Sequence, residues 1–245
     1  MVLPPTWQDQ GKDKSVTAPL SLIITGFSPV TYVRKTVTPQ LQDIADETQL
    51  ILLDLGAGAN RLGGSILAQV YSKMGAVVPD VDDANSLKAF FNAIQTLLEE
   101  DKLLAYHDRS DGGLFTTLAE MAFAGHTGVS IDIGPLDNDD LAVLFNEELG
   151  AVIQVHSDHA VEILELFAQA NINAYALGTI NKADSIDISR NGDLLFSKSR
   201  AELQEHWSRT SYQIASRRDN ADCVKEEFDR IAQQDNGLSV NLSYD

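Results

Sequence analysis

Segment 104–114 constrains the fold most, because a short apolar strand runs there into a charged loop and two glycines then open an amphipathic helix. Such a strand–loop–helix junction is typical of α/β proteins, which bind ligands beyond the ends of their strands. The loop offers the carboxylate of Asp108, the hydroxyl of Ser110 and two possible cations, His107 and Arg109. Together with the backbone N–H groups of a helix start, these groups suit a metal-bound phosphate.

The same loop also has a purely structural interpretation. Asp111 would cap the helix, and Gly112 and Gly113 would permit close packing at its first turn. That interpretation leaves Asp108 and Ser110 unexplained, because side chains spaced by two in an extended loop can point the same way. Mg²⁺ accepts one or two protein carboxylates and completes its shell with phosphate oxygens, so Asp108 is a sensible ligand but an insufficient one alone.

A second glycine-rich loop, 56–65, follows an apolar run. It begins as Gly-x-Gly, but Arg61 occupies the position of the third glycine of a dinucleotide-binding fingerprint. Arg61 and Ser65 can hold a phosphate at a helix N-terminus. Alternatively, Gly63 and Gly64 permit close packing while Ser65 caps the helix. The residues alone leave these two interpretations open.

Apolar periodicity along the chain predicts strands that alternate with helices. The predicted strands cover 20–27, 50–55, 129–133, 151–156, 174–180, 186–189 and 193–197. The predicted helices begin near 66, cover 84–101, 114–124, 138–147 and 160–170, and resume from 199. Asn191-Gly192 between the last two strands is typical of a hairpin. We therefore predict an α+β fold with a mixed β-sheet covered by helices.

Composition limits the class of protein and its partners. With 245 residues, 44% of them hydrophobic, the chain can bury a sizeable core. The formal net charge of −18 would repel nucleic acids and anionic membranes, so neither is expected as a partner. Cys223 is the only cysteine, which fits a reducing cytoplasm. No apolar run reaches the roughly 18 residues of a membrane helix and the start lacks a signal-peptide pattern, so we expect a soluble, cytoplasmic protein.

Four segments closely resemble the large, single-chain form of the phosphoribosylformylglycinamidine synthases of purine biosynthesis. The longest is 104–128, which begins Leu-Ala-Tyr-His-Asp-Arg-Ser-Asp-Gly-Gly-Leu. The others are Leu-Phe-Asn-Glu-Glu-Leu-Gly-Ala-Val at 144–152, Pro-Leu-Ser-Leu at 19–22 and Thr-Pro-Gln-Leu at 38–41. The resemblance extends over nearly the whole chain, and the motif around Asp108 is its most specific part.

The resemblance implies that this chain is one piece of such an enzyme. Residues 19–198 resemble the second C-terminal-type domain of the synthetase portion, the kind shared with aminoimidazole ribonucleotide (AIR) synthetase. Residues 1–18 are polar and without periodicity, which by itself indicates an arm or linker. Residues 199–245 would form a helical connector and tail toward a glutaminase domain. The implied partners are the rest of the same polypeptide, namely an upstream N-terminal-type domain and that downstream glutaminase, together with small-molecule substrates.

Site roles follow from the same resemblance. In the family pattern, the aspartate of the His-Asp-Arg-Ser motif contributes to Mg²⁺ binding and the serine two residues on contacts ATP. By position these are Asp108 and Ser110. Weaker candidates for a ligand or domain contact are His107, Arg109, Gly63, Gly64 and Ser65. Asn146 and Glu147 fall in another motif-like stretch, which a helix end with a buried Phe145 explains about as well.

The implied activity is an ATP-dependent ligase of the glutamine amidotransferase type. It phosphorylates the amide oxygen of formylglycinamide ribonucleotide with ATP, and ammonia from glutamine then displaces phosphate. With part of the site, the isolated chain is expected to be inactive and to bind nucleotide weakly or not at all. Two alternatives remain open: another ATP-using enzyme of the AIR synthase superfamily, or a non-catalytic binding module with the same fold.

Overall fold

A computed structural model describes residues 6–15, 24–30, 32–45, 47–137 and 139–233. The chain divides into two compact units, Met1–Arg34 and Lys35–Asp245. The strands are β1 (Thr6–Asp9), β2 (Lys12–Ser15), β3 (Thr48–Asp54), β4 (Ala105–Asp108), β5 (Gly128–Asp132), β6 (Gly150–His156), β7 (Asn173–Asn181), β8 (Ser185–Arg190) and β9 (Asp193–Ser199). The helices are α1 (Ile66–Val70), α2 (Ala84–Glu99), α3 (Gly113–Gly125), α4 (Asp140–Phe145), α5 (Ser157–Gln169), α6 (Arg200–Arg218) and α7 (Ala221–Asp229), with 3₁₀ turns at Val33–Lys35 and Arg230–Ala232.

Seven strands of the larger unit form one mixed sheet in the order β4-β6-β3-β7-β5-β8-β9. Every neighbouring pair is antiparallel except β5 and β8, which are parallel. The central strand β3 pairs with β6 over its whole length, from Thr48 opposite His156 to Asp54 opposite Gly150. The predicted mixed sheet is confirmed, and so is the hairpin turn at Asn191-Gly192 between β8 and β9.

Helices cover both faces of this sheet because β3 sends alternate side chains to opposite sides. Leu50 and Leu52 pack with α3 in one buried cluster. Ile51 and Leu53 pack with α2 and α5 in another. The unbroken apolar run of β3 therefore marks a strand that is buried on both faces, as predicted.

Two predictions near the N-terminus differ from the structure. The predicted strand at 20–27 is wrong over 24–27, which form no strand and expose Ile24 and Phe27; residues 20–23 lie outside the described residues. The polar segment assigned to an arm without periodicity contains an antiparallel hairpin, β1–β2, in which Thr6 pairs with Ser15. Exposed polar strands of four residues carry too little alternation for a sequence pattern to reveal them.

Helix α6 packs on α3 of the domain. Trp207 of α6 meets Phe123 of α3 with 6.0 Å between ring centroids. Arg200, at the start of α6, is buried and donates from Nε and Nη2 to Asp184, at 2.6 and 2.9 Å. The polar tail predicted after 235 lies outside the described residues. No helix in the described part of the chain is long and apolar enough to cross a membrane.

Candidate functional site

The charged loop of the sequence motif, 108–112, lies between the edge strand β4 and helix α3. The strand register continues into the loop, because the Arg109 N–H donates to the Gly150 carbonyl at 2.9 Å. Asp108 and Ser110 are exposed, whereas Arg109 between them is buried. The loop therefore presents a carboxylate and a hydroxyl to solvent on either side of a side chain that points into the protein.

Arg109 anchors this loop to the core. Its guanidinium donates to Asp54 Oδ1 at 2.5 Å, to the Glu148 carbonyl at 2.7 Å and to the Leu149 carbonyl at 3.0 Å. Arg109 is 4% exposed and Asp54 is 5% exposed. The structure thus commits Arg109, one of the weaker ligand candidates, to an internal ion pair.

Two further side chains of the motif, Asp108 and His107, have polar partners next to them. The Tyr106 hydroxyl donates to Asp108 Oδ1 at 2.5 Å, and burial, followed by this hydrogen bond, raises the pKa of Tyr106. The phenol therefore stays protonated and orients the carboxylate. His107 Nε2 lies 2.8 Å from Glu120 Oε2 on α3, so His107 joins β4 to α3.

The start of α3 differs from the predicted capping. Gly112, with φ at +81°, is the N-cap residue and forms no side-chain cap hydrogen bond of its own, so the prediction that Asp111 is the cap is wrong. Gly113 follows with φ at +66°, and a Cβ there would lie 2.6 Å from the Asn146 carbonyl oxygen. The left-handed conformation and this close approach both require glycine, as the close-packing interpretation predicted.

The second glycine-rich loop has the local structure of a tight turn into α1. The Ser65 hydroxyl accepts a hydrogen bond from the Ala68 N–H at 3.2 Å and caps the helix. A Cβ on Gly63 would lie 2.3 Å from the Val77 carbonyl oxygen, and the Gly64 N–H donates to the Met74 carbonyl at 2.7 Å. Capping and close packing are therefore confirmed here, while a phosphate contact stays a prediction.

One short segment, Asn146-Glu147-Glu148, links the two glycine-rich loops. Glu147 Oε1 accepts hydrogen bonds from the Ile66 N–H and the Gly112 N–H, each at 2.8 Å. The buried Glu148 carboxylate accepts from Arg61 through Nε at 2.6 Å and through Nη2 at 2.8 Å. The two loops, about 50 residues apart in sequence, are therefore held by consecutive side chains.

Two members of this network, Asp54 and Glu148, were not predicted as functional. Asp54 accepts from the N–H groups of Gly56 and Gly58, at 3.2 and 2.8 Å, in addition to its pairing with Arg109. Asp54 follows the buried run Ile51 to Leu53, whereas Glu148 is buried between Glu147 and Leu149, which are not. An acidic residue in an apolar run must be paired, so the sequence held a signal for Asp54 and none for Glu148.

Asp108 is an oxygen ligand of the kind that Mg²⁺ prefers, and it is accessible. Within the described ranges, no group of three or more His, Cys, Asp or Glu residues is arranged to hold a metal ion. Asp108 therefore suits Mg²⁺ as a single ligand. The described residues do not complete the coordination shell around it.

The sequence of the domain matches a known family. Residues 48–190 match the model of the AIR synthase related protein, C-terminal domain. Because the match covers more than half of the chain, the protein belongs to this family, and its fold is the AIR synthase C-terminal-like fold.

Solved structures with this fold include several of PurL from Thermotoga maritima. PurL complexed with ATP matches 69% of this chain and 27% of its own, with a TM-score of 0.57 and 15% sequence identity. PurL complexed with FGAR matches 69% of this chain and 29% of its own, with a TM-score of 0.55 and 13% identity. The PurLQS structure matches 68% and 27%, with a TM-score of 0.56 and 16% identity. The chain spans less than a third of these proteins.

Proposed function

We propose that this chain is the part of a phosphoribosylformylglycinamidine synthase that supplies Asp108 and Ser110 to an ATP and Mg²⁺ site. The observation that carries the proposal is the loop 108–112, where both side chains face solvent while Arg109 holds the backbone between them. The sequence resemblance around this loop supports the proposal. The similarly folded PurL, whose structures have been solved in complex with ATP, AMPPCP and ADP, also supports it.

The proposed reaction joins nitrogen to carbon in purine biosynthesis. ATP phosphorylates the amide oxygen of formylglycinamide ribonucleotide, and ammonia released from glutamine then displaces phosphate to give the amidine. Such chemistry depends on positioning and on charge stabilisation more than on a covalent nucleophile. Bound Mg²⁺ would neutralise charge on the phosphates. The protein's part at this loop is to orient the Asp108 carboxylate through Tyr106 and to present the Ser110 hydroxyl beside it.

We propose that the remaining groups come from other parts of a longer polypeptide. Asp108 alone leaves most of a Mg²⁺ shell unfilled, and the chain matches only about a quarter of PurL. An upstream N-terminal-type domain would complete the site, and a downstream glutaminase would supply ammonia. We expect no amidine formation by the 245-residue chain with ATP, formylglycinamide ribonucleotide and ammonia, measured by product chromatography; turnover would contradict the shared site.

Asp108→Asn is expected to weaken Mg²⁺-dependent ATP binding. Loss of an outer partner of a metal ligand costs about 10- to 100-fold in metal affinity, so loss of a charged ligand should cost at least about tenfold. The measurement is ATP affinity by calorimetry across a series of Mg²⁺ concentrations, in the complete polypeptide. Asp111→Asn is the matched control, because Asp111 is exposed in the same loop. Equal affinities for Asp108→Asn and the parent at every Mg²⁺ concentration would contradict the assignment.

A further inference from the structure

Glu147 occupies an unusual place between the two glycine-rich loops. Its Oε1 atom accepts from Ile66, the first residue of α1, and from Gly112, the N-cap of α3. The first N–H groups of a helix have no partner inside the helix, and a carboxylate there is stabilised by the positive end of the helix. One oxygen atom therefore satisfies a donor at the start of each helix.

Because both bonds end on the same atom, the two helix starts cannot move independently without breaking one of them. On one side lies the end of the second glycine-rich loop, 56–65, with Gly63, Gly64 and Ser65 just before Ile66. On the other stands loop 108–112, with Asp108 and Ser110. The link is direct, since each bond measures 2.8 Å.

The neighbours of Glu147 hold its backbone on both sides. The Asn146 side chain donates to the Ala142 carbonyl at 2.7 Å and to Asn60 Oδ1 at 3.1 Å. The buried Glu148 side chain binds Arg61, as described above. Fixed neighbours limit the freedom of the Glu147 side chain, so its carboxylate defines the position of both loops instead of following them.

We propose that Glu147 is a positioning residue. It fixes loop 108–112 against the second glycine-rich loop, 56–65, and thereby sets where Asp108 and Ser110 are presented. The inference rests on the proposed function for the identity of the ligand, Mg²⁺ with ATP. Its mechanical part, the coupling of the two loops, does not depend on that ligand.

Amide hydrogen exchange on the 245-residue chain tests the coupling. Glu147→Ala removes the acceptor, and losing a hydrogen bond of ordinary strength should speed exchange at both Ile66 and Gly112 by about 5- to 30-fold. Glu147→Gln keeps a carbonyl oxygen at the same reach, so it should restore most of the protection. Glu165→Ala, at an exposed glutamate on α5, is the matched control. Amides of the central strand β3 report global opening, so the acceleration at Ile66 and Gly112 should exceed any acceleration in β3.

ATP affinity in the presence of Mg²⁺, measured on the complete polypeptide, tests the consequence for the site. A displacement of about an ångström can cost about 100-fold in a positioned site, so Glu147→Ala should lose about 10- to 100-fold while Glu147→Gln stays near the parent. If Glu147→Ala fails to fold, Glu147→Asp replaces it, because a shorter carboxylate cannot reach both N–H groups and should show the same two losses.

The outcomes separate this inference from the proposed function. If the parent polypeptide does not bind ATP with Mg²⁺ but both amides respond to Glu147, the proposed function fails and the coupling stands. If neither amide responds, or only one does, the coupling is wrong whatever the nucleotide does. If both amides respond and ATP affinity is unchanged, Glu147 links the loops without positioning the site, and the inference is overturned.

Discussion

Arg109→Met is expected to lower the free energy of unfolding by about 3–5 kcal/mol, the cost of removing one partner of a buried ion pair. The substitution keeps much of the side-chain volume but leaves the Asp54 carboxylate, 5% exposed, without its cation. It also leaves the carbonyl of Glu148 without its donor and removes one of the two donors to the carbonyl of Leu149, which keeps the Leu55 N–H. Urea unfolding followed by circular dichroism measures the change.

Lys198→Met provides the comparison for Arg109→Met. Lys198 pairs with Glu202 at 2.9 Å, but the two side chains are 49% and 44% exposed, and solvent-exposed pairs contribute little. We therefore expect nearly unchanged stability for this variant. A similar small loss for Arg109→Met would contradict the anchoring role of Arg109 and return this guanidinium to the set of ligand candidates.

Gly113→Ala is expected to cost about 2–5 kcal/mol of unfolding free energy. A left-handed conformation costs a residue with a Cβ about 1–2 kcal/mol, and overpacking adds about 1–3 kcal/mol. Gly113 has φ at +66°, and its Cβ would lie 2.6 Å from the Asn146 carbonyl and 2.8 Å from the Leu144 carbonyl. These are backbone atoms, so no rotation of a side chain relieves the clash, and α3 with loop 108–112 must shift.

Gly192→Ala separates the two contributions. Gly192 has φ at +85°, but nothing lies within 4 Å of its Cβ position. This variant should therefore lose only the conformational part, about 1–2 kcal/mol. Equal losses for the two variants would show that close packing between α3 and the 144–146 segment contributes nothing.

Most of the fold could be predicted from the sequence, because the period of the apolar residues in a long segment identifies it as a helix or a strand. The helix predicted at 84–101 is Ala84–Glu99, and the strand predicted at 50–55 lies in β3 except for Leu55. The strand predicted at 20–27 failed over 24–27 for a physical reason. A short apolar run becomes a strand only when a neighbour accepts its hydrogen bonds, and local apolar content says nothing of that neighbour.

The candidate site could be predicted only in part. The exposed pair Asp108 and Ser110 was found because two polar groups followed a strand end. The inward role of Arg109 could not be read from the loop, since its partner Asp54 is 55 residues away. The bridging role of Glu147 depends on α1 and α3 starting side by side, which is a property of the tertiary structure and leaves no local pattern.

We propose that ATP and its metal ion bind at loop 108–112. Mn²⁺ accepts the same oxygen ligands as Mg²⁺, and its unpaired electrons broaden the NMR signals of nearby amides. With ATP and Mn²⁺ added to the complete polypeptide, ¹⁵N-labelled only in these 245 residues, we expect the strongest broadening at the amides of Asp108 to Gly112, and its loss in Asp108→Asn. Strongest broadening on another segment, such as the acidic stretch 80–83, or equal broadening of this loop in Asp108→Asn, would contradict the claim.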